Sequence, residues 1–217
     1  MPAETPLARL LARGAASLSD PELLAVVVDS EGGIEMRDRI RKRLTTYDLQ
    51  RFLIMNRGQL QRLLDISSEQ AARLVAVREL AARIARETLP IRCGLTLPPE
   101  IVTYLHLRYG DLEQERAGAL FLDHHNRLLS DREFFCGSRE RTPVDPGIIL
   151  REALLAAANG IILFHTHPSG DPRPSTEDWD LTRQMDIATR YLGLRLVDHV
   201  IVGGPTRGYS FRLGRRF

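Results

Sequence analysis

Only two cysteines, Cys93 and Cys136, occur in the 217-residue chain, too few for a disulfide framework or a Cys-x-x-Cys metal knuckle. No apolar run approaches the roughly 18–20 residues that a membrane span requires. The opening MPAETPLARL has no basic region followed by a long apolar stretch, so no secretory leader is expected. These absences point to a soluble, cytoplasmic protein. Lysine is nearly missing as well: Lys42 stands alone and the remaining basic residues are arginines. A large excess of one charge is also absent. The chain carries 30 basic and 28 acidic residues, divided 14 against 12 up to Pro90 and 16 against 16 beyond it. Neither half has the basic surplus of a dedicated nucleic-acid binder. With 43% hydrophobic and 27% charged residues, disordered, collagen-like and coiled-coil classes are excluded. One basic cluster remains, Arg37, Arg39, Arg41, Lys42 and Arg43, which reads as a solvated helix face with phosphate contact as the alternative.

What is present divides the chain in two. Up to about Pro90 the pattern is helical. Ser19 followed by Glu22 makes a capping box with Pro21 in the first turn, ahead of the apolar run Leu23 to Val28. Ala71, Leu74, Val75, Val77, Leu80 and Ile84 continue at helical spacing over 66–86. A segment with Pro90, Gly94, Pro98 and Pro99 then reads as a linker over 91–99. From residue 100 to 217 strands and helices interleave. Two strands are expected at 117–122 and 127–135, joined by a turn at 123–126. A helix over 146–158, a buried strand over 161–164, a helix over 178–192, a strand over 194–202 and an edge strand over 209–213 follow. The fold class is therefore α/β (α+β), a sheet covered by helices, behind a small all-α domain spanning 1–90.

The chemistry concentrates in His165-Thr-His-Pro-Ser-Gly-Asp-Pro-Arg-Pro-Ser175-Thr-Glu-Asp178. Residues i and i+2 of a strand share a face, so His165 and His167 can address one ion at the strand's exit. A Pro/Gly-rich loop returns the chain, and Asp178 arrives in the first turn of the next helix. Two imidazoles and one carboxylate are a common zinc set that leaves the fourth tetrahedral position to water. Each part has an ordinary reading too: a hydrogen-bonded histidine pair, and a helix cap at Ser175 and Asp178. Their coincidence after a buried strand favours the metal site, and capping is compatible with it.

His-x-His-Pro, six residues, Ser, two residues, Asp matches the motif of the JAMM/MPN+ metalloproteases at His165, His167, Pro168, Ser175 and Asp178. The longer string HTHPSGDPRPSTED resembles the bacterial RadC family, which usually has Asn at the position of Thr166. LARGAASLSDPELLAVVV and LVDHVIVG are similar to RadC sequences as well. The resemblance implies a JAMM/MPN-type domain, related in fold to cytidine deaminases, that binds Zn2+ through His165, His167 and Asp178. It implies an upstream glutamate as general base in a Glu-x-x-Gly-x-Leu pattern, which Glu115, Gly118 and Leu120 fit, with Asp123 ending the strand. Glu113 is the rival for that role. RadC chains usually carry a helix-hairpin-helix with a Gly-Ile-Gly turn. The corresponding segment here is Asp65-Ile66-Ser67-Ser68-Glu69, without glycine, so its side chains oppose close backbone approach to a phosphate.

The leading expectation is a zinc-dependent metallopeptidase or isopeptidase acting on a peptide or protein substrate. Glu115 would be the base and Ser175 a helper that holds the oxyanion. The alternative is a DNA-processing or DNA-repair protein, with at most weak nucleic-acid contact through the N-terminal domain. A nucleobase deaminase is excluded, because the His-x-Glu and Pro-Cys-x-x-Cys elements are missing. His199 falls on a strand and reads as a core residue that can contact the site. His106, His124 and His125 read as loop or surface histidines.

Overall fold

The computed structural model describes residues 4–29, 33–87, 89, 99–111, 113–137 and 145–216. The expected linker at 91–99 lies outside them except for Pro99, as does Cys93. The chain separates into two compact units, Met1–Ala81 and Ala82–Phe217. That division falls inside a helix and earlier than the proline-rich stretch.

The first unit is helical: α1 (Pro6–Arg13), α2 (Asp20–Val28), α3 (Ile34–Leu44), α4 (Leu49–Leu53), α5 (Arg57–Leu64) and most of α6 (Ser68–Glu87). The Ser19–Glu22 capping box is present at the start of α2. The basic cluster on α3 has a structural use. Arg39 donates to the Leu64 and Asp65 carbonyls at 2.6 and 3.0 Å, and Arg43 donates to the Leu63 carbonyl at 3.1 Å. These are carbonyls that the end of α5 leaves without intrahelical partners. At the turn between α5 and α6, Asp65 takes the left-handed conformation at φ 53°. Ser67 and Gln70 form a reciprocal cap: the Ser67 N–H donates to Gln70 Oε1 at 2.9 Å and the Gln70 N–H to Ser67 Oγ at 3.1 Å.

The second unit is built on a six-stranded sheet ordered β2-β1-β3-β4-β5-β6. Its strands are β1 (Glu115–Leu122), β2 (Leu128–Gly137), β3 (Gly160–Thr166), β4 (Arg195–Val202), β5 (Gly208–Ser210) and β6 (Arg215–Arg216). β3 and β4 are parallel, and the other neighbours are antiparallel. Helices α7 (Pro99–Tyr109), α8 (Pro146–Leu155) and α9 (Thr176–Tyr191) cover it. Strand parity sorts the core. Leu120, Leu122, Ile162, Phe164, Val200 and Val202 pack with α7 residues such as Ile101 and Leu105. Ala119, Phe121, Ile161 and Leu163 pack with Ile149 and Ala153 of α8 and Met185 of α9. Ala85 and Leu89 pack against the α7 side, which is why the compact unit begins before the proline-rich stretch.

Several elements differ from expectation in instructive ways. Helix α7 was not anticipated, although Ile101, Val102, Tyr104, Leu105 and Tyr109 give it one continuous buried side. His106 is buried on this helix, not on a loop. Helix α8 stops at Leu155 because Ala157 turns left-handed at φ 51°, so that the Ala158 N–H reaches the Ala153 carbonyl. The expected edge strand over 209–213 is shorter and split, with a turn at 211–214 before β6. Strand β3 runs on to Thr166, which places His165 within the sheet.

Candidate metal centre

The site is assembled where β1, β3 and β4 meet the start of α9. His165 pairs with Ala117 of β1 in the sheet register, and Leu163 pairs with His199 of β4. Leu163 belongs to the α8/α9 face, so His165, two residues on, and His199 face that side as well. Glu115 opens β1 two residues before Ala117, on the same face. His167 follows β3, its N–H donating to the Val202 carbonyl at 2.9 Å. Glu115, His165 and His167 place ligand atoms within 4.8 Å of one another. Asp178 Oδ1 lies 3.3 Å from His165 Nε2.

Hydrogen bonds behind the two imidazoles decide which nitrogens face the centre. His167 Nδ1 lies 2.6 Å from the Asp171 carbonyl, which can only accept, so that nitrogen carries the proton and Nε2 is bare in the neutral ring. For His165 the same conclusion comes through a relay. The Thr182 hydroxyl donates to the Asp178 carbonyl at 2.6 Å, so its oxygen accepts from His199 Nδ1 at 2.7 Å. His199 Nε2 is then an acceptor, and His165 Nδ1 donates to it at 3.0 Å. His165 Nε2 is left bare, 3.1 Å from His167 Nε2. Two lone pairs face each other, with Asp178 Oδ1 beside His165 and the Glu115 carboxylate near both rings, and a positive charge between them, a metal ion or a proton, makes that arrangement favourable. Two nitrogens on a tetrahedral zinc with bonds of ~2.0–2.1 Å stand about 3.3 Å apart. The residues present therefore fit a divalent ion.

The capping box of α9 serves this geometry. Asp178 Oδ2 accepts from the Ser175 N–H and Oγ–H, both at 2.7 Å, while the Asp178 N–H donates back to Ser175 Oγ at 3.2 Å. With Oδ2 occupied, Oδ1 is the oxygen turned to His165. Burial pushes the Asp178 carboxyl up, but a protonated His165 beside it and the two Ser175 donors outweigh it and hold the group below the usual carboxylate range. His167 is pushed down, first by burial and then by the neighbouring His165. Ser175 is exposed, and its hydroxyl is directed at Asp178.

Glu113 lies apart from the cluster, exposed in the loop before β1, its N–H donating to Asp111 Oδ1. Glu115 is half-buried, and its neighbour anchors it. The Arg116 N–H donates to Thr166 Oγ1 at 3.1 Å, one residue beyond the last β1–β3 register pair. Gly118 explains the glycine of the Glu-x-x-Gly-x-Leu pattern. A Cβ there would stand 2.2 Å from the Arg132 carbonyl and 2.6 Å from the Phe164 ring, which backbone pairing leaves no room to relieve. Asp123 shapes the β1–β2 turn by accepting from the His125 and Arg127 N–H groups at 2.8 Å each. His124 and His125 are exposed in that turn. Thr182 and the Asp171 carbonyl were not anticipated. Thr182, four residues after Asp178, could have been found from its position one helical turn on.

Residues 95–215 match the RadC-like JAB domain. The chain belongs to the RadC family. It is 36% identical over 206 residues to a UPF0758 protein of Syntrophotalea carbinolica, covering 92% of this chain and 90% of the relative. A UPF0758 protein of Streptococcus thermophilus is 36% identical over 212 residues, covering 95% and 91%. One from Cupriavidus taiwanensis is 37% identical over 203 residues, covering 93% and 89%. The mixed α/β unit with its six-stranded sheet is consistent with the JAB/MPN type of fold. Among the described residues no helix is long and apolar enough to cross a membrane.

Proposed function

We propose that this RadC protein is a zinc-dependent hydrolase acting on peptide or isopeptide bonds, with His165, His167 and Asp178 as metal ligands and Glu115 as general base. The observation that carries the reading is the pair of facing Nε2 atoms with the Glu115 carboxylate within 4.8 Å of both imidazoles, and Asp178 Oδ1 3.3 Å from His165 Nε2. Zinc in such a site supplies a Lewis acid and a water whose pKa falls towards neutrality. The protein's own residues do the rest. Glu115 takes the proton of the attacking water and returns it to the departing amine. Ser175 holds Asp178 in place through Oδ2 and keeps a hydroxyl at the exposed rim of the site, near where the substrate carbonyl would lie. Asp171, through its carbonyl, keeps His167 in the tautomer that offers Nε2.

The α5–α6 turn supports a protein-facing more than a phosphate-facing use of the helical unit. The Ser67 and Gln70 amides are taken by each other's side chains, and Arg39 and Arg43 hold backbone carbonyls. Cleavage of a peptide library by zinc-loaded wild type, absent with Glu115→Gln, tests the proposal. A zinc-loaded wild type that cleaves no peptide or isopeptide but nicks DNA would replace it with the DNA-processing alternative.

A further inference from the structure

The carboxylate that approaches His165 and the relay behind His165 belong to one closed circuit. Asp178 Oδ1 meets His165 Nε2, His165 Nδ1 meets His199 Nε2, His199 Nδ1 meets Thr182 Oγ1, and Thr182 returns to the Asp178 carbonyl. The three hydrogen bonds behind His165 each have one permitted direction once the carbonyl is fixed as acceptor, and they leave His165 Nε2 and Asp178 Oδ1 as two acceptors facing each other. The circuit joins β3, β4 and the first turns of α9, the three elements that must stay in register for His165 and Asp178 to meet.

We propose that His199, oriented by Thr182, is a positioning residue for the metal centre: it holds His165 in the Nδ1–H tautomer and so keeps His165 Nε2 available to a divalent cation. The inference rests on His165 being a ligand. The ring of His199 is held at both nitrogens and on one face. It stacks on Phe211 with centroids 4.6 Å apart and planes 10° from parallel, and Phe211 in turn packs edge-on against Trp179. The His199 N–H donates to Asp198 Oδ1 at 2.6 Å, and its carbonyl accepts from the Phe211 N–H at 3.0 Å. Asp198 is held by the Ser210 hydroxyl and the Arg212 N–H. Only 1% of His199 is exposed, so it does not touch a substrate. Partners of this kind, one bond behind a ligand, commonly change metal affinity by about 10–100-fold when removed.

The test uses the full-length protein, metal-free, with 15N-labelled histidine, alongside zinc affinity measured by competition with a chromogenic chelator. Wild type, Thr182→Ser and His199→Gln keep a donor–acceptor chain and are expected to show His165 protonated at Nδ1 and to bind zinc with similar affinity. Thr182→Val and His199→Phe break the chain. In both, the His165 proton is expected to move to Nε2 and zinc affinity to fall by about 10–100-fold. Thr182→Val is nearly isosteric and keeps the test open if His199→Phe does not fold. An unchanged His165 tautomer together with unchanged affinity in Thr182→Val and His199→Phe overturns the proposal. A folded wild type that binds no zinc overturns the ligand reading instead, while the tautomer comparison still decides the role of His199.

Discussion

His165 and His167 turn the same atom toward each other: their Nε2 nitrogens stand 3.1 Å apart while each Nδ1 is engaged on the far side, by His199 and by the Asp171 carbonyl. Neutral rings in those tautomers present two acceptors face to face, a conflict that a bound cation would resolve.

Glu115 and Glu113 are separated by position. Glu115→Gln keeps shape and a hydrogen-bonding oxygen but cannot accept a proton. It should retain zinc and fold while losing about 10²–10⁴-fold in peptide hydrolysis, roughly 3–5.5 kcal/mol of barrier. Glu113→Gln should stay within a factor of about two of wild type, well inside the roughly tenfold that 1.4 kcal/mol represents. Steady-state kinetics on one cleaved peptide checks both, and an inactive Glu113 variant would reassign the base.

Ser175 serves both the start of α9 and the Asp178 carboxylate. Ser175→Ala removes the oxygen that accepts the Asp178 N–H and the hydroxyl that holds Asp178 Oδ2. Loss of an N-cap costs about 0.5–2 kcal/mol, and loss of the partner behind the ligand should weaken zinc binding by about 10–100-fold. Urea denaturation and chelator competition read the two effects separately. A stability loss with zinc affinity unchanged would confine Ser175 to capping.

The boundary of the second unit makes a truncation informative. A fragment 82–217 retains Ala85 and Leu89 against the α7 side of the core, together with the Arg86 bond to the Leu129 carbonyl at 3.3 Å. It should fold cooperatively and bind zinc. A fragment 96–217 lacks these contacts and should melt at lower temperature. Calorimetry of the two decides the matter, and equal melting would place the functional boundary at the proline-rich stretch.

Acid should weaken the helical unit through Glu22. Its carboxylate accepts from the Ser19 N–H and Oγ–H and from Arg9, and the Ser19 backbone bond leads in drawing its pKa below the ordinary 4.5. A carboxyl depressed in the folded state binds fewer protons there than when unfolded. Its stabilisation is therefore present above the unfolded value and lost as pH falls through the folded one. Glu22→Gln should flatten the fall of denaturation midpoint below pH 4.5, and an unchanged slope would assign the acid lability elsewhere.

Much of this was legible in the sequence because the chemistry is local. His165 near the end of a strand with His167 just past it, and Ser175 and Asp178 three apart at a helix start, declare their proximity through short spacings. Gly118 and Leu120 set the register that singles out Glu115, and the reason for the glycine became visible only with Phe164 and the Arg132 carbonyl beside it. Helix α7 was hidden because it directly follows a proline-rich segment that reads as linker. His199 was readable as a core residue, but its link to Thr182 depends on how β4 packs beneath α9, a tertiary relation that no spacing encodes. The arginines of α3 read as a solvated helix face for the same reason: the carbonyls that Arg39 and Arg43 hold lie 25 and 20 residues away in sequence.

The most direct measurement is the zinc content of the purified, metal-replete full-length protein by elemental analysis, for wild type beside His165→Ala, with His124→Ala as control at the exposed β1–β2 turn. Wild type and His124→Ala are expected to hold one zinc per chain, and His165→Ala is expected to hold none while remaining folded. A folded wild type without zinc, or a His165→Ala protein that keeps its full complement, would contradict the assignment of the metal centre.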